Sequence, residues 1–152
     1  MDVMVFARWV VAFVTVAYAL WNALPAAATL MFKFGHAPAG LAEAGVRFNM
    51  WMQAMPLWLV ASWLLADLIY LFAALRLVSF PKAAFAPFAL AFVLNLAVYF
   101  QARRLPGFDA AFGPGAPVRH MAMGAALGLG LVLYFAFSRV RKKRVQPTVL
   151  ME

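Results

Sequence analysis

Four stretches of nearly uninterrupted apolar residues constrain this sequence more than any other feature. They lie at 9–31, 52–75, 83–100 and 121–137. A helix needs about 20 apolar residues to cross the hydrocarbon core of a bilayer, and the last two stretches are only slightly shorter. The first stretch is longer than the apolar part of a signal peptide, which has about 7–15 residues. The pattern therefore predicts four transmembrane helices.

The composition excludes the main alternatives to a membrane protein. The chain is 67% hydrophobic and only 12% charged, whereas a soluble domain is about half apolar and a quarter charged. A soluble globular fold, a disordered chain and a coiled coil are thereby excluded. We predict an all-α integral membrane protein, with residues 1–152 forming a single transmembrane domain.

The connections between the stretches predict how the helices pair. Residues 76–82 form a short turn, whereas residues 33–51 and 101–120 are longer and rich in glycine and proline. The chain is therefore expected to form a four-helix bundle made of two helical hairpins joined by a short hinge. Pro25 and Pro87 lie inside predicted spans, where each is expected to kink its helix.

The distribution of lysine and arginine predicts the orientation. With both termini in the cytoplasm, eight basic residues lie inside and five outside, as the positive-inside rule favours. The strongest anchor is a basic cluster in the cytoplasmic tail, residues 139–152. It comprises Arg139, Arg141, Lys142, Lys143 and Arg144. These residues are also expected to bind anionic lipid headgroups, at about 1 kcal/mol for each basic residue. They are not expected to bind nucleic acid.

One carboxylate stands alone among the apolar stretches. Asp67 is the only acidic or basic side chain deep inside any of them. With a rise of about 1.5 Å per helical residue, Asp67, Tyr18, Asn95 and Asn22 all lie roughly 12–20 Å from the cytoplasmic ends of their spans. Thr15, Tyr18 and Asn22 also share one face of the first helix. We therefore expect Asp67, Asn22, Asn95 and Tyr18 to form one polar cluster at mid-depth.

Two interpretations of this cluster stay open. In the first, Asp67 is the protonatable group of a proton- or cation-coupled site, because intramembrane carboxylates are costly and often functional. In the second, Asp67 only locks the helices together by hydrogen bonds to Asn22 and Asn95.

Methionine and histidine side chains gather near the predicted outer ends of the spans. Thioether and imidazole groups suit Cu(I), so a copper site on the periplasmic face is one hypothesis. Its candidate ligands are His36, Met50, Met52, Met55, His120, Met121 and Met123. The alternative is that these methionines fill gaps in apolar packing.

The last stretch contains a pair of glycines spaced for close helix packing. Gly124 and Gly128 form a GxxxG motif, which lets two helix backbones approach closely. The contact is expected either within the bundle or with another chain.

The function that these features favour is not catalytic. The sequence has no cysteine, no phosphate-binding loop, no paired carboxylates and no nucleophile with a neighbouring base, and it indicates no particular cofactor. We expect an accessory subunit that packs against a larger complex in a bacterial-type inner membrane. The alternatives are a small oligomeric transporter that works through Asp67, and the copper-binding protein.

The orientation can be tested with a single cysteine, because the native chain has none. Gly113 lies in the second long connection, on the predicted outer side. We expect a Gly113→Cys variant to react with a membrane-impermeant thiol reagent added to intact cells. Labelling only after the cytoplasmic side is exposed would contradict the predicted topology.

Overall fold

The computed structural model of the chain describes residues 3–36 and 45–113, together with positions 122, 124, 128, 131 and 135. Within these residues the only regular structure is helical. The helices are α1 (Val3–Lys33), α2 (Gly45–Ala54), α3 (Leu57–Ser79), α4 (Phe85–Arg103) and α5 (Phe108–Phe112), and a single 3-10 turn, Pro81–Ala83, precedes α4.

Three of the described helical segments are long and apolar enough to cross a membrane. They are Val5–Lys33, Leu57–Ser79 and Pro81–Arg103. The predicted all-helical fold is thereby confirmed for the described residues, and three of its helices are apolar enough to be membrane spans. Most of the predicted fourth span, 121–137, lies outside the described residues, although its five described positions are helical.

The second membrane helix begins later than its apolar pattern predicted. α3 starts at Leu57 rather than at Met52, because the chain is extended at Pro56, with φ −71° and ψ 148°. Proline cannot donate a backbone hydrogen bond and disfavours helical geometry in the residue before it. Met52 therefore belongs to the separate helix α2.

The two prolines expected to kink spans occupy different positions in their helices. Pro87 is the third residue of α4, where its missing N–H would lack an intrahelical partner in any case. Pro25 lies inside α1, which is helical from Val3 to Lys33. The hydroxyl of Thr29 donates a 2.7 Å hydrogen bond to the carbonyl oxygen of Pro25.

The three long helices pack with α3 between α1 and α4. α1 and α3 run antiparallel, because Tyr18 contacts Tyr70 while Asn22, one turn further along α1, contacts Asp67. The short helices α2 and α5 pack on each other, with the rings of Trp51 and Phe108 6.3 Å apart. We call this region the α2–α5 end of the bundle. The opposite end, where Pro81–Ala83 connects α3 to α4, is the turn end.

The buried faces of α1 and α4 repeat every three and four residues. This heptad spacing is typical of helices that pack side by side at a shallow angle. The buried residues of this seam in α1 are all small or polar, which lets the α1 backbone lie close to its neighbour. The seams are Ala12, Thr15, Ala19, Asn22, Ala26 and Thr29 in α1, and Phe88, Ala91, Asn95, Val98 and Ala102 in α4, with Ala84 just before α4 in the same register.

Two apolar clusters fill the interior of the bundle. The cluster toward the turn end includes Tyr70, Leu77 and Phe88. The cluster toward the α2–α5 end includes Trp51 and Trp63. The buried polar side chains of Asn22, Asp67 and Asn95 belong to neither cluster, and their places in the helices put them between the two.

Large apolar side chains cover the outside of the described helices. Phe13, Trp21 and Leu75 are each about two-thirds or more exposed. A surface covered by large apolar side chains is the reverse of the arrangement in a soluble protein. This surface suits a hydrocarbon environment.

The small residues of the α1 seam should be sensitive to added volume. We expect Ala19→Leu to destabilise the bundle by about 1–3 kcal/mol, because Ala19 is fully buried and extra methyl groups in a packed interior force neighbours apart. Ala17→Leu is the matched control, because Ala17 is exposed on the same helix. Unfolding in detergent measures both, and equal stability of the two variants would contradict the packing of α1.

Candidate functional site

A hydrogen bond between two membrane helices is the centre of the candidate site. Asp67 lies near the middle of α3, and its side chain is only 3% exposed. The amide Nδ2 of Asn22, on α1, donates a 2.8 Å hydrogen bond to Asp67 Oδ1. The second carboxylate oxygen, Oδ2, is buried and has no hydrogen-bond partner among the described residues.

A second hydrogen bond joins α1 to α4. The amide Nδ2 of Asn95 donates to the hydroxyl oxygen of Tyr18 over 3.3 Å. Tyr18 and Asn22 are one helical turn apart on α1, so the two hydrogen bonds lie at neighbouring levels of the bundle. We call Tyr18, Asn22, Asp67 and Asn95 the polar layer.

The structure thus brings together all four side chains that the sequence pattern grouped at mid-depth. Asn22 and Asn95 lie on the heptad seams of α1 and α4, and Asp67 and Tyr70 are buried on α3. The expected hydrogen bond between Asn22 and Asp67 is present, whereas Asn95, which was also expected to bond to Asp67, donates to Tyr18 instead. The layer therefore ties α1 to both α3 and α4.

The two threonines on the α1 seam take no part in these interhelical hydrogen bonds. Thr15 donates to the carbonyl oxygen of Val11, and Thr29 to that of Pro25, each over 2.7 Å. A threonine that bonds to the previous turn of its own helix satisfies its hydroxyl locally.

The polar layer contains carboxylate, hydroxyl and amide oxygens together with two amide donors. Asn22 and Asn95 each donate an amide N–H, and each also carries an amide oxygen. Among the described spans, the basic side chains occur near the helix ends, as with Arg8 in α1 and Arg76 in α3. Arg76 lies over the rings of Phe72 and Phe80, at 5.1 and 5.6 Å.

Trp63 is a further buried side chain on the same helix as Asp67. It precedes Asp67 by one turn of α3 and is 5% exposed. Its indole Nε1 is buried without a hydrogen-bond partner in the described part of the chain. Its ring packs edge-on against Trp51, with centroids 6.1 Å apart. The i, i+4 spacing from Asp67 was the available signal, but tryptophan is also a common packing residue.

The structure distributes the candidate copper ligands over different environments. Met52 and Met55 are fully buried in the apolar cluster at the α2–α5 end, whereas Met50 is exposed. His36 is exposed, with Nδ1 3.0 Å from the carbonyl oxygen of Phe34. His120, Met121 and Met123 lie outside the described residues. Copper binding stays a prediction, which titration of the purified protein would test.

The described glycines of the predicted packing motif lie close to α4. A Cβ atom built on Gly128 would be 3.5 Å from Cε2 of Phe92, and one built on Gly124 would be 3.9 Å from it. Gly124 and Gly128 are therefore next to the Phe92 side chain of α4 within the same chain. The basic cluster Arg139, Arg141, Lys142, Lys143 and Arg144 lies outside the described residues.

Comparisons with known proteins find no matching family model, no matching curated protein and no matching solved structure.

The hydrogen bond from Asn22 should stabilise the bundle more than the local bond made by Thr15. We expect Asn22→Ala to destabilise the protein by about 1–3 kcal/mol, because it leaves a buried carboxylate oxygen without a partner. Thr15→Val is the control, since it removes only a hydrogen bond within α1. Unfolding of both variants in detergent measures the difference, and a Thr15→Val loss as large as that of Asn22→Ala would contradict this prediction.

Proposed function

We propose that this protein is a non-catalytic accessory subunit that packs against a larger complex in the membrane. The observation that carries the proposal is Trp21, which is 70% exposed on the outside of α1. It is next to Asn22 in the chain and therefore lies at the depth of the polar layer. Tryptophan in membrane proteins is enriched at the membrane–water interfaces, so an outward-facing tryptophan at mid-depth favours a protein partner over lipid.

The rest of the outer face of α1 suits the same role. α1 flanks the described bundle, and large apolar side chains follow its outer face over most of its length. They include Phe6, Trp9, Phe13, Leu20, Trp21 and Leu24. Aromatic side chains provide large contact areas and are enriched at the cores of protein interfaces. The expected occupant is a transmembrane helix of a different subunit.

The proposed setting is a bacterial-type inner membrane, with four spans in two hairpins and both termini in the cytoplasm. The described positions near the C-terminus support a fourth helix beside α4. Gly124 and Gly128 face Phe92, Leu131 joins the apolar cluster at the turn end, and the ring of Phe135 lies 5.2 Å from that of Phe85. The basic tail would then bind anionic lipid headgroups on the cytoplasmic side.

A second candidate function is a small oligomeric transporter coupled to protons or cations. Its support is the buried Asp67 carboxylate, of which one oxygen has no partner among the described residues. A half-satisfied carboxylate inside a membrane bundle is costly and is typical of ion and substrate pathways.

Purification from the source membranes in a mild detergent tests the first proposal. We expect the tagged wild-type chain to retain a stoichiometric membrane partner. Trp21→Ala should lose this partner while keeping its unfolding temperature, because Trp21 contributes little to the interior. Leu75→Ala is the matched control, since Leu75 is similarly exposed on α3, and it should keep the partner.

Two results would contradict the subunit role. One is a wild-type chain that purifies alone. The other is a homodimer with pH-dependent ligand binding, which would favour the transporter.

A further inference from the structure

The polar layer has the composition of a binding site for a small ion. We infer that it binds one monovalent cation, a proton or Na⁺, at the Asp67 carboxylate. This inference goes beyond the subunit role, which concerns the outer face of α1. It also names the ligand that the second candidate function would move.

The hydrogen bonds of the layer leave one carboxylate oxygen without a donor among the described residues. The amide N–H groups of Asn22 and Asn95 are directed at Asp67 Oδ1 and at the Tyr18 hydroxyl. The Asp67 Oδ2 atom is left as a buried oxygen without a partner among the described residues. Carboxylate, amide and hydroxyl oxygens are the ligands that hard cations prefer, and the layer supplies all three kinds.

The negative charge of an ionised Asp67 has no positively charged side chain beside it in the layer. Asn22 on α1 contacts Asp67 directly. The other buried polar or titratable side chains of the layer and of the adjoining turns of α3 are Tyr18 on α1, Asn95 on α4, and Tyr70 and Trp63 on α3. None of these side chains carries a positive charge at neutral pH. An ionised carboxylate taken out of water without a counter-charge costs several kcal/mol. A bound cation supplies that counter-charge, either as a proton on the carboxyl group or as Na⁺ among the oxygens.

Apolar packing lies on both sides of the layer along the bundle. Tyr70 and Phe88 lie toward the turn end, and Trp51 and Trp63 toward the α2–α5 end. Asp67 is 3% exposed, so bulk water does not solvate the charge. The compensating ion must therefore sit inside the bundle.

The test uses the purified full-length protein in a non-ionic detergent. Its unfolding temperature is measured over a range of pH, in NaCl and in choline chloride of equal ionic strength. If the ion is Na⁺, the protein should be more stable in NaCl, by about 1.4 kcal/mol for each tenfold increase in free Na⁺ above its Kd. If the ion is a proton, stability should fall as the pH rises, equally in both salts, because unfolding then releases the proton that Asp67 holds in the folded state.

Three variants assign either response to the polar layer. Asp67→Asn keeps the shape of the side chain but removes its charge, and should abolish the response to Na⁺ or pH. Asn95→Leu removes one amide oxygen and should weaken a Na⁺ response while leaving a proton response. Thr15→Val, on the same α1 seam, should behave as the wild type does.

The inference is wrong if the unfolding temperature of the wild type depends neither on Na⁺ nor on pH, or if Asp67→Asn retains the full dependence. Should Asp67→Asn fail to fold, Asn95→Leu still assigns a Na⁺ response. A proton response is then assigned by Asn22→Ala, which removes the donor to Asp67 Oδ1 and should move the fall in stability to higher pH; an unchanged pH range would contradict the inference. The result is independent of co-purification, so the cation site and the subunit role stand or fail separately.

Discussion

The hydrogen bond between Asn22 and Asp67 is the interaction on which the arrangement of the described helices depends. Apolar surface gives membrane helices little reason to prefer one register over another, because lipid is as apolar as the side chains. The alanines of the α1 seam allow close approach of the helices, but they do not distinguish one register from another, because each alanine packs in a similar way. A single polar pair at 2.8 Å distinguishes one register from its neighbours, since a shift by one turn would separate the two groups.

The bond from Asn95 to Tyr18 extends this control to α4. Because both bonds begin or end on α1, the first helix determines the positions of the other two at mid-depth. A polar layer of this kind serves both interpretations of Asp67. Hydrogen bonds that lock the helices also hold the oxygen atoms in place for an ion, so the structural and the functional roles are compatible.

The sequence predicted the members of the polar layer and the bond between Asn22 and Asp67, but it also paired Asn95 with Asp67, whereas Asn95 donates to Tyr18. Polar residues are rare in these spans, and helical spacing shows which of them share a face. Which asparagine reaches Asp67 depends on the rotation of each helix, which is determined by many small contacts along the seams. Hydropathy also joined Met52–Met55 to the second span, because methionine is apolar in either place. Pro56 was the available signal that the helix is interrupted before α3, because proline disfavours helical geometry in the residue before it.

Other features were present in the sequence but ambiguous. Ala12, Ala19 and Ala26 mark the α1 seam, yet alanine is so common in this chain that their spacing does not stand out. Trp63 shares a face with Asp67, but its unpaired N–H becomes apparent only when the surrounding groups are known. The short helices α2 and α5 fall in the predicted connections, because with 10 and 5 residues neither is long enough to show a clear helical repeat of apolar residues.

The described spans also differ in length, and this has a consequence for the surrounding bilayer. At about 1.5 Å per residue, α1 is roughly 46 Å long and α4 roughly 28 Å, from 31 and 19 helical residues. A hydrocarbon core is about 30 Å thick, so α4 nearly matches it while α1 exceeds it. α1 must therefore tilt, project into the headgroup region or locally thicken the bilayer. Where α1 tilts, the hydrogen bond between Asn22 and Asp67 couples that tilt to α3.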